Sequence, residues 1–185
     1  MYGLVNKALE ELVIANFGEE KWERIKALAG VDHDVFISTD AYPDEETFRL
    51  VGAASTVLDM SAEQLLIGFG EHWVLNTASA SYGPMMKSAG KSLKEFLINL
   101  PDFHTRVAMI FPDLQPPRFE CSDVTDESLI LHYFTHRSGL TPFVVGLVQG
   151  LGKLYQTPTT AELVAAKADG ADHDVFMVRW QSALQ

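Results

Sequence analysis

Residues 116–137 read PPRFECSDVTDESLILHYFTHR, and the period of the chain changes within this stretch. After the proline pair, the runs Arg118 to Cys121 and Leu129 to His136 have the composition of strands, and the polar segment Ser122 to Ser128 joins them. Thr141-Pro142 then predicts a helix start, and further strands are predicted over 162–166 and 174–180, on either side of a turn at 168–172. The second half therefore predicts an antiparallel sheet with one inserted helix.

The sequence before residue 112 is typical of consecutive helices. Apolar residues recur at helical spacing over residues 2–16, and Trp22, Ile25 and Leu28 repeat the pattern up to Gly30. Further helix starts are predicted at Pro43 with its three following acidic residues and at two capping boxes, which are Ser61 with Gln64 and Ser92 with Glu95. One helix is expected to end before Pro101, and a short one to cover residues 103–111. We expect an α+β domain over residues 1–185, with a helical N-terminal part of about residues 1–60 packed on the sheet.

The composition excludes several classes of protein. A formal net charge of −11 over 185 residues disfavours a nucleic-acid partner, because such proteins carry a basic surface. A single cysteine, Cys121, rules out a disulfide framework and a thiolate zinc site. The richest apolar run, from Phe143 to Leu151, is too short to span a membrane, and no signal peptide is evident, so we expect a cytoplasmic protein with no membrane partner.

Two groups of residues could bind a ligand. Tyr133, Thr135 and Arg137 alternate along a predicted strand, so their donors would share one face and suit a carboxylate or a phosphate, although a solvated strand face fits the same pattern. His104 follows Leu100 in a short apolar helix, where a neutral imidazole could bind the iron of a haem. The other histidines, at 33, 72, 132, 136 and 173, are predicted to make ordinary hydrogen bonds, and no assembled catalytic motif is present, so an enzyme is not expected.

Five segments, in the same order as here, resemble the H-NOX family of haem nitric oxide/oxygen-binding domains, which are related to the haem domain of soluble guanylate cyclase. The segments are Met1 to Asn6, Gly70 to Trp73, Leu100 to His104, Pro116 to Phe119 and Tyr133-x-Thr135-x-Arg137. The likeness covers essentially the whole chain and is best to stand-alone cyanobacterial members.

The resemblance implies a role for each matched residue. His104 corresponds to the histidine that binds the haem iron, and Pro117 to the proline that distorts the porphyrin. Tyr133, Thr135 and Arg137 fall on the Tyr-x-Ser-x-Arg signature that holds the haem propionates, with threonine replacing the usual serine. The pocket is expected to be lined by Val5, Trp73, Phe143 and Leu147.

The resemblance predicts a haem b gas sensor that binds NO and CO and excludes O2, because Phe143 lacks the hydroxyl of the tyrosine in O2-binding relatives. Trp73 is expected to be the only distal hydrogen-bond donor. By family analogy the effector is a histidine kinase or a cyclic-dinucleotide enzyme. Two alternatives remain open at this point: a haem-free module that binds a fatty acid or similar apolar anion through Arg137, and a haem enzyme.

Overall fold

Helices form the first half of the protein, as the apolar periodicity predicts. The computed structural model describes residues 1–110 and 115–181, and the first four helices are α1 (Gly3–Phe17), α2 (Glu19–Ala29), α3 (Asp44–Leu58) and α4 (Ala62–His72). The capping box at the start of α4 is confirmed: the Gln64 N–H donates to Ser61 Oγ at 3.1 Å, and the Ser61 N–H donates to Gln64 Oε1 at 3.2 Å. The helical spacing predicts Leu28 in the core, but its side chain is 58% exposed at the end of α2.

The middle of the chain is helical as well. The last turn of α4 runs into a π-helix (Trp73–Ala78), followed by α5 (Ser79–Ala89), α6 (Leu93–Ile98) and α7 (Leu100–Ile110). Ser92 caps α6, but the reciprocal half of its predicted box is wrong, because the Glu95 carboxylate accepts from the N–H of Lys91 instead. The predicted helix over 103–111 begins earlier, at Leu100, since proline in a first turn lacks only an N–H that has no helical partner there; Phe111 lies outside the described residues.

The second half forms the predicted antiparallel sheet, whose strands are β1 (Arg118–Ser122), β2 (Ser128–Phe134), β3 (Thr159–Ala165) and β4 (Asp174–Trp180). The strand order is β1-β2-β4-β3, and the inserted helix is α8 (Thr141–Leu154). The third strand starts earlier than the predicted residue 162, because Thr159 already pairs with Trp180. The α+β class is confirmed.

Two separate clusters of buried apolar side chains hold the fold together. The first is formed by α1 to α4 with the loop after α2 and continues past residue 60 as far as Phe69. The second joins α5 to α8 and the inner face of the sheet. Trp73 packs against both clusters, so the boundary between them passes through the π-helix.

Within residues 1–110 and 115–181, no single helix is long and apolar enough to cross a membrane. Two helical segments joined by a bend, Asp44–Leu58 and Ala62–Ala89, together have the length and composition that a membrane span needs.

Candidate functional site

A cavity of about 230 Å³ lies between the two clusters. Its lining comes from α1, α3, α4, the π-helix, α5, α7, α8 and the sheet, and so from nearly the full length of the chain. The structure brings eight of the nine predicted site residues to its wall: Val5, Trp73, His104, Pro117, Tyr133, Arg137, Phe143 and Leu147. Thr135, the ninth, is not among the lining residues.

His104 presents one ring nitrogen to a fixed partner. One turn of α7 earlier, the carbonyl of Leu100 lies 3.1 Å from Nδ1, and because a carbonyl can only accept, Nδ1 carries the proton. Burial lowers the pKa of His104, which favours the neutral ring. Phe119 stacks on this ring at a centroid distance of 5.3 Å and Phe103 meets it edge-on at 5.8 Å. The imidazole is therefore oriented, neutral and left with an unprotonated Nε2, which is the state that binds a metal.

Tyr133 is the last inward-facing residue of β2. Its side chain is buried, and burial raises its pKa although a hydrogen bond with Thr135 and the charge of Arg137 act in the opposite direction. The phenol consequently stays protonated and acts as a donor at the cavity wall.

Thr135 and Arg137 do not lie on the strand, contrary to the prediction that they share a strand face with Tyr133. The ladder between β1 and β2 ends with Arg118 opposite Phe134. The next residue that could pair with β2 is Pro117, just before β1, and proline has no N–H to donate to the ladder. The Thr135 hydroxyl instead accepts the N–H of Arg137 at 3.1 Å, a local bond that turns the backbone out of the sheet.

An ion pair with Asp44, at the start of α3, fixes the Arg137 guanidinium. Nε donates to Oδ2 at 2.6 Å, Nη2 lies 3.4 Å from Oδ1, and Nη1 donates to the carbonyl of Gln115 at 3.1 Å. The amino group of Met1 donates to the same carboxylate at 2.5 Å. Although burial alone would raise the pKa of Asp44, the hydrogen bonds from Arg137 and from Met1 outweigh it and lower the pKa. The contact joins the helical part to the loop after β2.

Aromatic rings form the wall opposite this polar end. Phe69 lies 5.1 Å from Phe143 and 6.4 Å from Trp73, measured between ring centroids. Val5 and Leu147 complete the apolar surface.

Close contact between α4 and α8 sets the position of these rings. A Cβ on Gly146 would lie 2.1 Å from the Ile67 carbonyl oxygen, and one on Gly70 would lie 2.3 Å from that of Phe143. Glycine is thus required at both positions for the helix backbones to approach, and this approach places Trp73 and Phe143 on one wall.

The sequence analysis missed Asp44 beside Arg137 and four polar residues of the cavity wall, which are Tyr2, Thr47, Tyr82 and Gln115. Asp44 was assigned only to a helix start, and nothing in the sequence relates it to a residue 93 positions away. Tyr2 and Tyr82 also carry hydroxyl groups on the cavity wall, and the expectation that Trp73 is the only distal donor stays a prediction. Burial raises the pKa of Tyr82. Among residues 1–110 and 115–181, no group of three or more His, Cys, Asp or Glu side chains could hold a metal ion.

Comparisons with known proteins agree with this geometry. The model of the family described as Haem-NO-binding matches residues 2–163. Soluble guanylate cyclase gcy-32 of Caenorhabditis elegans is 30% identical over 156 residues, and soluble guanylate cyclase 89Db of Drosophila melanogaster is 21% identical over 170 residues. These matches cover 83% and 91% of this chain but only 23% and 25% of the cyclases, so the chain spans about a quarter of their length.

Solved structures share the whole fold. An H-NOX protein from S. oneidensis in the Fe(II)NO state superimposes with a TM-score of 0.88 at 20% identity, covering 98% of this chain and 100% of that one. An unliganded Fe(II) H-NOX protein from K. algicida gives a TM-score of 0.87 at 24% identity over 100% of this chain and 99% of that one.

Proposed function

Because this chain belongs to the Haem-NO-binding family, we propose that it is a gas sensor that holds haem b in the cavity between its two clusters and binds NO and CO. Its family consists of sensor domains, and the cyclase relatives carry a matching region in a much longer chain. When bound, the haem supplies a ferrous iron to which a diatomic gas can bind.

The orientation of His104 carries this proposal. The ring lies on the wall of an apolar cavity, its Nδ1–H is held by the Leu100 carbonyl, and its Nε2 is free of a proton. A single histidine with its second nitrogen hydrogen-bonded to a carbonyl is one arrangement by which proteins hold a haem iron.

The polar end of the cavity fits the carboxylates of the cofactor. Arg137 and the Tyr133 phenol supply donors there, and described residues use three of the five N–H groups that a guanidinium offers. Thr135 contributes indirectly, by holding the backbone of Arg137 and the hydroxyl of Tyr133.

Non-covalent attachment supports haem b as the type of haem. Covalent attachment uses the two cysteines of a C-x-x-C-H motif, whereas this sequence contains one cysteine. The Cys121 thiol donates to the Leu97 carbonyl at 3.4 Å, and burial raises its pKa to about 11, so it is not a reactive thiolate.

The aromatic wall favours NO and CO over O2. Bound O2 gains from a hydrogen-bond donor, and Phe143 has none to offer. A neutral hydrogen bond contributes about 0.5–1.5 kcal/mol, so a donor such as Trp73 would raise O2 affinity by roughly two- to thirteenfold. We therefore infer that no stable O2 complex forms.

Signalling is proposed to use the boundary between the clusters. His104 on α7 would hold the haem iron and Pro117 would contact the porphyrin, so a change at the haem on NO binding would reach α7 and, through Val5, let α1 move against the sheet. The effector expected by analogy, a histidine kinase or a cyclic-dinucleotide enzyme, stays a prediction.

The test is an absorption spectrum of the purified ferrous protein alone, under NO, under CO and in air. We expect a haem band that shifts with NO and CO and a five-coordinate ferrous spectrum that air does not convert to an oxygenated form. A colourless protein after expression with ample haem would overturn the proposal of a haem sensor. A persistent oxygenated spectrum would overturn only the exclusion of O2.

A further inference from the structure

We propose that His132 and His173 form a second site, for a divalent transition-metal ion such as Zn²⁺ or Cu²⁺, on the face of the sheet that points away from the cavity. The two residues are 41 positions apart, and their facing nitrogens, Nδ1 of His132 and Nε2 of His173, are 2.8 Å apart. His132 lies between the buried residues Leu131 and Tyr133 on β2, so its side chain points to the opposite face from theirs.

The outer nitrogen of each ring already has a polar partner. Nδ1 of His173 lies 3.2 Å from Oδ2 of Asp172, and Nε2 of His132 lies 2.9 Å from the Ser122 hydroxyl. A metal-binding histidine usually donates its other N–H to a carboxylate or another acceptor, which fixes both its tautomer and its orientation. The pair therefore has the outer hydrogen bonds of a metal site on both sides.

The directions of the hydrogen bonds from Asp172 through the two histidines to Ser122 show how a cation would be bound. A carboxylate only accepts, so His173 donates from Nδ1 and its Nε2 is an acceptor in the neutral ring. In the metal-free protein His132 then donates from Nδ1 to His173, and its Nε2 accepts from the Ser122 hydroxyl, whose single proton is in that state not shared with the Asp123 carboxylate 3.3 Å away.

A metal between the rings requires a change of tautomer and a movement of the two rings. The proton of His132 moves from Nδ1 to Nε2, and the new Nε2–H donates a hydrogen bond to the Ser122 hydroxyl. That hydroxyl in turn donates to the Asp123 carboxylate at 3.3 Å. Both facing nitrogens are then lone-pair ligands, and all outer groups keep a partner. Zn–N bonds of about 2.0–2.1 Å in tetrahedral geometry place two nitrogens roughly 3.3 Å apart, so the rings must separate and turn until both lone pairs point at the metal.

Local charge and packing also favour a cation. Asp172 and Asp123 flank the pair, whereas Glu120, opposite His132 in the β1–β2 register, is paired with Arg118, whose guanidinium lies 3.7 Å over the Phe134 ring. Phe134 stacks on the His173 ring at a centroid distance of 4.0 Å and holds it in place. The site provides two protein ligands, and water completes the coordination; imidazole ligands suit Zn²⁺, Cu²⁺ and Ni²⁺ rather than Mg²⁺ or Ca²⁺.

The experiment is a titration of the untagged, purified protein with Zn²⁺, monitored by isothermal calorimetry, with His104→Gly titrated alongside to separate out any binding at the cavity imidazole. We expect one ion per chain, tighter binding of Cu²⁺ than of Zn²⁺, and no binding of Mg²⁺. One-to-one binding should be lost in His132→Gln and in His173→Gln, and Ser122→Ala should weaken it about tenfold. His33→Gln is the matched control and should bind as the wild type does; circular dichroism shows that each variant is folded.

A spectroscopic readout separates a metal site from a hydrogen-bonded pair of rings. In ¹⁵N NMR, the His132 proton should lie on Nδ1 without zinc and on Nε2 with it. Absence of stoichiometric binding, retention of binding in either glutamine variant, or an unchanged His132 tautomer would each overturn the proposal. The metal site lies across the sheet from the cavity, so the outcome of this test does not depend on whether the protein binds haem.

Discussion

The ion pair between Arg137 and Asp44 should contribute measurably to stability, because it is a charge-assisted contact with both partners largely shielded. The side chains are 16% and 26% exposed, and the shorter bond is 2.6 Å. A hydrogen bond to a charged group is worth about 1.5–3 kcal/mol. We expect a coupling energy in this range from a double-mutant cycle of Asp44→Asn, Arg137→Gln and the double variant, measured on the haem-free protein.

Urea unfolding is the appropriate assay. With a denaturant dependence of about 1–3 kcal/mol per molar, a single variant should lower the midpoint by on the order of 1 M. The exposed pair Arg179 and Glu162, whose side chains are 58% and 71% exposed, is the control and should show a coupling of about 0–1 kcal/mol. A coupling for Asp44 and Arg137 no larger than that of the control would refute the reasoning.

The same pair predicts a pH dependence. The pKa of Asp44 is lower in the folded protein than in the unfolded chain, so the stabilisation is fully present above the unfolded pKa and is lost as pH falls through the folded one. The difference in stability between wild type and Asp44→Asn should therefore shrink below about pH 4. A difference that grew on acidification would have the wrong sign.

The remaining predictions concern the cavity. His104→Gly should lose haem and recover it when imidazole is added, read from the absorption spectrum; an unchanged five-coordinate spectrum without imidazole would contradict the assignment. Gly146→Ala should destabilise the fold by about 1–3 kcal/mol in urea unfolding, since its Cβ would collide with the Ile67 carbonyl; a neutral effect would show that α4 and α8 can separate freely. Phe143→Tyr should produce an oxygenated spectrum in air that wild type lacks, and its absence would mean that the new hydroxyl does not reach the bound gas. Pro117→Ala should give a flatter haem by resonance Raman and a smaller NO-linked change in hydrogen exchange over residues 1–17; identical exchange with and without NO in wild type would count against the signalling model.

Local signals in the sequence predicted the elements well. The capping box at Ser61 and the acidic helix start after Pro43 both lie where a helix begins, because each satisfies the free N–H groups or the dipole of a first turn. Alternation failed at Thr135, because a side chain that bonds its own backbone gives no signal in the apolar pattern.

The contacts that assemble the sites were less accessible to sequence reasoning. Asp44 and Arg137, like His132 and His173, meet only through the tertiary fold, and each residue has an adequate local explanation on its own. His104 was identified because its apolar helical setting is local and because a family resemblance pointed to it. The hydrogen bond to Leu100, which fixes its tautomer, appears only once α7 is in place.

The division of the interior into two apolar clusters has a thermodynamic consequence. The cavity lies where the clusters meet, so whatever occupies it contacts both and adds to the packing that Trp73 already makes between them. A molecule bound there acts by mass action on the folded state as a whole, adding about 2.7 kcal/mol at a free concentration one hundred times its dissociation constant. The abundance of the folded protein in a cell should accordingly follow the supply of its ligand.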